Sequence, residues 1–495
     1  MEHDRQRELY AAFKAKDSRF DGRLFVGITS TGIYCRPVCR ARMPKQENCV
    51  FFHAAAQAEK QGFRPCLLCR PELAPGLSAV DAQAALAHRA ARYLQENCGE
   101  GLSLPALAAR LGYTDRHLRR AFQQEFQVSP VEYLQTCRLL LAKGLLTDTQ
   151  LPVTQVALAA GFGSLRRFHA LFAQKYRLSP MRLRAQTRGE DGKDAEMTVA
   201  LGYRPPYAWD RVLRFLAARA IHGVECVSDG QYARTMCLPD RQGRPAVGWV
   251  RVGHQPEKAR LRVTLSAGLL PVLPQALGRL RNLFDLSCDP DTISEALAGL
   301  ETLVPGAFSP GLRVPGCADA FELCVRAVLG QQITVKAAGT LAGKLAAAFG
   351  TPVSTGIPGL THVFPAPQAI LALPGAIEDH LGPLGIIASR ARAIRALAEL
   401  FADGAVDFAL STDPEADMDT LMQLPGIGPW TASYIAMRAL GWPDAFVHSD
   451  LGIRKALGGM APKQVLALSA QWRPWRSYAA MALWDSLDGG TKLTE

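Results

Sequence analysis

Apolar residues recur at helical spacing from residue 81 to 184, and the rhythm breaks at CGEG, LGY, VSP, GFG and LSP. A 3.6-residue period cut by short glycine- or proline-bearing turns predicts a set of short packed helices. Two stretches, LPALAARLGYTDRHLRRAFQQEFQVSPVEYL and VTQVALAAGFGSLRRFHALFAQKYRLSPMRL, follow one plan. Each passes from a helix of small residues through a Gly-aromatic turn into a basic helix and leaves through Ser-Pro, which is helix-turn-helix written twice. The second helices are predicted over 115–126 and 164–176, with Leu118, Phe122, Phe168 and Phe172 turned to the cores. Beyond 197 the pattern changes. Strand-like runs (VGWVRVG, ARLRVTLSAG) mix with helical ones (WDRVLRFLAARAI, LPQALGRLRNLF), which predicts an α+β unit over 197–310. From 317 helical patterns dominate, predicting an all-α unit over 311–490. PELAPGL (71–77) and QTRGEDGKDAE (186–196) are predicted linkers, and residues 1–75 form a small cysteine-bearing unit.

A chain of 495 residues is too long for one ordinary core, and 48% hydrophobic residues are enough to fold most of it. No apolar run reaches the ~18–20 residues of a membrane helix. The start, MEHDRQRELY, lacks the apolar stretch of a signal peptide. A cytoplasmic protein with reduced thiols is expected. The net charge of +11 is unevenly placed: +5 over residues 1–75, +9 over 85–188 and −2 over 189–495. A basic first part beside a near-neutral remainder points to a polyanion partner for the first part.

Among twelve cysteines, Cys35-x3-Cys39 and Cys66-x2-Cys69 stand out as two close pairs. That spacing suits one tetrahedral zinc held by four thiolates, which would also compensate a segment too short for a large core. Disulfides are the competing reading, disfavoured by the compartment. Cys49 lies outside both pairs and is expected to be a packed thiol, as are Cys137 and Cys324. Arg36, Arg40, Arg42, Arg64 and Arg70 cluster around the pairs and could offer forked donors to phosphate oxygens. A zinc-bound thiolate stays nucleophilic, so beside an alkylated phosphate it could take the alkyl group by displacement.

FVGITSTGIYCRPVCRAR followed by GFRPCLLCRPE resembles the N-terminal domain of Ada-type adaptive-response proteins over nearly all of residues 1–75. The resemblance implies that Cys35 accepts a methyl group from a DNA methylphosphotriester while bound to zinc with Cys39, Cys66 and Cys69. It also implies that Thr31, Arg42 and Arg64 contact phosphate, and that methylation removes one thiolate charge and raises affinity for DNA. Arg36 and Arg40 are further candidates for DNA contact. Residues 81–187 resemble the AraC-type DNA-binding domain. His117, Arg119, Arg120, Arg166 and Arg167 are the candidates to face DNA, with RNA polymerase an expected partner in activation.

LMQLPGIGPWTASYIAMRALGWPDAFVHSD (421–450) sets LPGIG between two helical patterns. Gly426 and Gly428 would let backbone amides approach a phosphate, as in a helix-hairpin-helix. An aspartate, Asp450, follows Gly428 by 22 residues. With ELCVRAVLGQQITVKAAG and WRPWRSYAAMALW in order, residues 197–490 resemble AlkA-type 3-methyladenine DNA glycosylases. By that resemblance Asp450 is catalytic, and an anion there suits the oxocarbenium character of a breaking N-glycosidic bond. Trp430, Tyr434 and Trp484 would form an electron-rich pocket for cationic alkylated purines, and Gln332 would be the wedge filling the gap of a flipped base. Carbonyls of Met422, Leu424 and Ile427 would hold a monovalent cation. Lyase-active relatives carry a lysine where Trp430 stands, so monofunctional hydrolysis is expected. No Pro-Cys-His-Arg run occurs, so direct repair of O6-methylguanine is not expected.

The expectation is therefore a multidomain α+β protein. Residues 1–75 would be the zinc and methyl-acceptor domain, and 81–187 an all-α double helix-turn-helix domain. Residues 197–310 would be the AlkA-like α+β domain, and 311–490 an all-α helix-hairpin-helix glycosylase of the 3-methyladenine II type. The rival is a transcription regulator whose glycosylase-like half is inactive.

Overall fold

The computed structural model describes residues 9–488 apart from 11–12, 15, 17–23, 38, 53–57, 59–60, 67, 70–78, 100, 102, 188–196, 405, 409 and 412. The linker at 71–77, nearly all of the one at 186–196, and Arg70 lie outside the described residues. Among the described residues no helix is long and apolar enough to cross a membrane.

The chain parts into two compact units, residues 1–92 with 104–130, and residues 93–103 with 131–495. The division runs through the stretch expected as one double helix-turn-helix domain, so the two motifs fall in different units.

In the first unit, β1 (Phe25–Ile28), β2 (Ile33–Cys35), β3 (Cys49–Phe52) and β4 (Arg64–Pro65) form a sheet of order β3-β1-β2-β4. β1 pairs antiparallel with β2 and β3, while β4 runs parallel to β2 with Ile33 opposite Arg64. Helix α1 (Ala79–Glu96) precedes α2 (Leu104–Arg110) and α3 (Asp115–Phe126). Helix α3 spans the predicted residues. Thr114 caps it by accepting the His117 amide, and Leu118 and Phe122 are buried as expected.

In the second unit, α4 (Pro130–Asp148) leads to the repeat: α5 (Val153–Ala159), α6 (Leu165–Tyr176) and α7 (Pro180–Thr187). Ser164 caps α6 by accepting the Arg167 amide, and Phe168 and Phe172 are buried. β5 (Met197–Gly202), β6 (Glu225–Ser228), β7 (Gln231–Pro239), β8 (Pro245–Gln255) and β9 (Arg260–Leu265) form an antiparallel sheet of order β5-β9-β8-β7-β6. Helices α8 (Trp209–Ala218) and α9 (Leu273–Leu283) fill the helical runs read from the sequence. The strand expected through ARLRVTLSAG stops at Leu265. The Ser266 hydroxyl takes the Trp249 amide, and the chain then turns helical over Ala267–Val272.

Helices of the C-terminal part follow: α10 (Ala320–Leu329), α11 (Val335–Phe349), α12 (Ala388–Ala402), α13 (Pro414–Met422), α14 (Pro429–Arg438), α15 (Leu451–Ala456) and α16 (Arg476–Asp488). One continuous apolar core runs from the second helix-turn-helix through the sheet to these helices. A buried ionic cluster ties sheet to helices: Arg234 on β7 pairs with Glu322 on α10 at 2.6 Å, and Arg326 on α10 pairs with Glu225 on β6 at 3.0 Å.

Candidate functional site

The sheet of the first unit gathers the cysteine quartet. Cys35 ends β2, Cys66 follows β4, and the four sulfurs lie within 4.8 Å of one another with all four residues buried. A tetrahedral zinc with Zn–S near 2.3 Å places its sulfurs about 3.8 Å apart, a spacing compatible with four sulfurs that lie within 4.8 Å of one another. All twelve cysteines are free thiols, so the disulfide reading is not followed. Hydrogen bonds to Cys39 and Cys69, with burial, push the Cys35 thiol far up, while hydrogen bonds from Cys35 and Cys69 hold Cys39 down at about 2. Sulfurs this close share protons, and only a cation lets all four ionise together. The Arg36 amide donates to Cys69 Sγ at 3.4 Å, the outer support expected around a thiolate ligand. Removal of the metal by a chelator is expected to open this unit, raising the titratable thiols by five, the quartet and the buried Cys49, and lowering its ellipticity. Unchanged thiol reactivity in the chelated protein would refute a metal-held core.

Around the quartet, Thr31 sits exposed in the β1–β2 turn, and the Arg64 amide donates to Gly32 O at 2.9 Å. Register thus sets Arg64 opposite Ile33, two residues along the chain from Thr31, and the Arg42 side chain is exposed as well. Arg40 is exposed and reaches Gln124 Oε1 of α3 at 3.0 Å. Arg36 departs from expectation. It is fully buried, and its guanidinium donates to the Cys69 carbonyl, so it braces the metal loop instead of facing DNA. Cys49 is the packed thiol foreseen, pushed up to about 11 by burial. On α3, Arg119 and Arg120 are exposed and His117 is half-buried, stacked on Tyr113 at 5.0 Å. Arg119 is tied to Asp115 at 2.8 Å. On α6, Arg166 and Arg167 are exposed.

The second unit holds a cleft of about 1070 Å3 lined by Trp430, Tyr434, Asp450 and Trp484. The hairpin between α13 and α14 forms one wall. Gly426 has φ +79°, where a side chain would be strained, and Gly428 caps α14. Asp450 caps α15 through Oδ1, which accepts the Ile453 amide at 3.0 Å. The same oxygen accepts Trp484 Nε1 at 2.9 Å, and Oδ2 accepts Trp430 Nε1 at 3.0 Å. Two indoles from different helices thereby fix the carboxylate plane. Trp430 stacks on Tyr434 one turn later, at 5.4 Å and 6°, and Trp484 lies 6.3 Å from Tyr434. Gly452 is required by this packing, since a Cβ there would meet Asp450 Oδ1 at 3.0 Å and Trp484 Cδ1 at 3.1 Å. The sequence reading placed the tryptophans as walls. Their N–H groups also serve as donors to Asp450.

Gln332 is exposed with φ +55° at the exit of α10, on the cleft rim. Its neighbour Gln331 donates to Gly426 O at 2.8 Å and to Thr431 Oγ1 at 3.0 Å, bracing the hairpin. At the hairpin Leu424 O accepts the Ile427 amide at 3.2 Å. Sequence reasoning missed Gln331, Arg219, Arg326 and Arg438. Arg219 follows α8 and enters the cleft from the sheet side, more than 200 positions from the hairpin, so no local motif could mark it. Arg438 donates to Tyr434 Oη at 2.8 Å. Burial pushes the Tyr434 phenol up, but the charges of Arg438, Arg219 and Arg326 outweigh it and hold it at about 8.

Four family profiles match in this order: metal binding domain of Ada (8–72), helix-turn-helix domain (107–186), AlkA N-terminal domain (198–319) and HhH-GPD superfamily base excision DNA repair protein (325–461). The chain is 39% identical, over 98% of its length and 97% of the relative, to a Mycobacterium tuberculosis protein described as "Probable bifunctional transcriptional activator/DNA repair enzyme AlkA". It belongs to the bifunctional transcriptional activator/DNA repair family. It is also 40% identical to DNA-3-methyladenine glycosylase 2 of Escherichia coli, over 57% of this chain and 95% of that one. A further relative is the Bacillus subtilis "Bifunctional transcriptional activator/DNA repair enzyme AdaA", at 31% over 37% of this chain and 85% of the relative. As a member of this family the chain has a zinc-binding Ada-type part, a DNA-binding helix-turn-helix part and a DNA glycosylase of the AlkA type.

Proposed function

We propose that this protein carries out two repair reactions and reports one of them to transcription. The C-terminal half hydrolyses the N-glycosidic bond of alkylated purines such as 3-methyladenine and leaves an abasic site. The zinc-binding part takes methyl groups from DNA methylphosphotriesters onto Cys35, and the methylated protein activates repair genes with RNA polymerase as partner.

The observation that carries the first reading is the Asp450 carboxylate, held by Trp430 and Trp484 at the edge of an aromatic cleft. Bond cleavage develops positive charge on the sugar, and a fixed anion lowers that barrier without reorganisation. A cationic purine gains from the stacked faces of Trp430 and Tyr434. Gln332 fills the space left by the flipped nucleotide, and Gly426 and Gly428 offer amides to the phosphate beside it. Met422, Leu424 and Ile427 carbonyls would hold a monovalent cation at the hairpin. With an indole instead of an amine at position 430, no Schiff base forms and the strand stays uncut.

In the first unit, Cys35, Cys39, Cys66 and Cys69 would hold zinc, which keeps the sulfurs ionised at neutral pH. Cys35 Sγ attacks the methyl carbon. The S–C bond forms as the C–O bond breaks, and the oxygen leaves with the electron pair as an ordinary phosphodiester. Thr31, Arg42 and Arg64 hold the phosphate for that displacement. The test is incubation of the protein with methylated DNA, following released bases and protein-bound methyl together. Release of 3-methyladenine with methyl uptake supports both reactions, and absence of either removes that one.

Methylation exchanges a thiolate for a neutral thioether on a basic face. Promoter affinity is therefore expected to rise at low salt, and the gain to shrink as salt increases. Equal affinity of methylated and unmethylated protein at low salt would leave the sensor role without a mechanism.

A further inference from the structure

The second helix-turn-helix shares one core with the sheet domain, so the sheet's loops have fixed positions relative to α5 and α6. The β7–β8 hairpin, residues 240–244, reaches α5 through one of its arginines. The exposed Arg241 donates from Nη2 to Leu158 O on α5 at 3.3 Å. Leu158 immediately precedes the turn around Gly161, which has φ +87°. Arg138 reaches the same turn from α4: its Nε donates to Cys98 O at 2.7 Å and lies 2.9 Å from where a Gly161 Cβ would stand. Burial pulls Arg138 downward, the Cys98 thiol opposes it, and the charges of Arg241 and Arg167 add to the fall, so three guanidinium groups act on one another around this turn.

Charge decides what such a hairpin does beside a DNA-reading helix. Its one acid, Asp240, is engaged within the loop. It accepts Arg244 Nε at 2.9 Å and Nη2 at 2.7 Å, and the amides of Gln242 and Arg244 at 2.9 Å each. Arg241, Arg166 and Arg167 have no carboxylate partner among the described residues. The Leu158 carbonyl uses one of the five N–H donors of Arg241. An acidic loop here would repel a duplex entering at α6. A loop presenting an unneutralised, exposed arginine attracts it.

We propose that the β7–β8 hairpin of the sheet domain extends the DNA surface of the second helix-turn-helix, with Arg241 contacting a backbone phosphate of the duplex that α6 reads. The inference rests on the reading of α6 as a DNA-facing helix. It means that the glycosylase half lends a phosphate contact to the regulatory half.

The test measures binding of the full chain to a labelled undamaged duplex of mixed sequence across a salt series. Arg241→Ala is expected to make the slope of log affinity against log salt shallower by about 0.9, the release expected for one lost phosphate contact. Arg241→Glu should weaken binding further, and Arg241→Lys, which keeps the charge, should retain the wild-type slope. An unchanged slope for Arg241→Ala overturns the proposal, as does tighter binding, which would make the hairpin an obstruction. Equal losses for lysine and alanine also overturn it, since Arg241 would then act only as a brace on Leu158. Arg166→Ala and Arg167→Ala run in parallel. If they change the slope and Arg241→Ala does not, only the hairpin inference fails. If none changes it, the reading of α6 itself fails with it.

Discussion

Asp450→Asn is expected to slow excision of 3-methyladenine and 7-methylguanine by on the order of 10²–10³, the usual cost of removing a preorganised electrostatic group. The structure adds a second reason beyond lost charge. Both carboxylate oxygens accept, from the Ile453 amide, Trp484 Nε1 and Trp430 Nε1. An asparagine has one acceptor, so its NH2 would face an indole N–H wherever the amide is turned. Asparagine still caps a helix well, so α15 should persist and the protein should fold. Affinity for damaged DNA should change much less than the rate. Single-turnover kinetics with a methylated duplex separate the two, and undiminished excision would place the catalytic group elsewhere. Trp430→Phe is the companion variant. It keeps the stacking face over Tyr434 and removes only the donor, so a slower rate with near-normal binding would show that the indole N–H positions the carboxylate. Wild-type protein should give no borohydride-trapped adduct, and a trapped adduct would contradict monofunctional hydrolysis.

Cys35→Ala is expected to abolish methyl uptake from phosphotriesters while base excision by the same molecule continues, since the two chemistries use separate residues. Labelled methylated DNA followed by peptide mapping reads both the amount and the position of the methyl group. Burial alone does not single out Cys35, which keeps 2% of its surface against 7% for Cys66. A methyl group found on Cys66, or transfer to the mutant at the wild-type rate, would therefore sink the assignment. Zinc content should be measured alongside, because loss of one thiolate ligand weakens the metal site as well as removing the nucleophile.

The helix-turn-helix pairs, the hairpin and the thiol quartet were legible because each is local. Helix periodicity, a capping Thr114 or Ser164, a left-handed Gly426 and a Cys-x3-Cys spacing are all written within one or two turns of chain. Leu118, Phe122, Phe168 and Phe172 could be placed inside for the same reason. Arg36 was misplaced because burial depends on the neighbouring loop: its charge reads as a surface donor until the Cys69 carbonyl is seen to receive it. Trp430 and Trp484 were legible as aromatic walls, yet their service as donors to Asp450 depends on where α14 and α16 cross α15.

By itself, then, the sequence determined the kinds of local element, the charge asymmetry between the two parts of the chain, and the residue types able to bind metal, phosphate and a cationic base. Those follow from backbone preference and side-chain chemistry, which act over a few residues. Only the tertiary structure decided that Arg219 from the sheet domain enters the cleft, and that Gln331 braces the hairpin 95 positions away at Gly426. It also decided that Arg241 comes beside the second helix-turn-helix. The packing of a shared core sets such distances, and no local pattern in the chain encodes which distant surfaces a core will bring together.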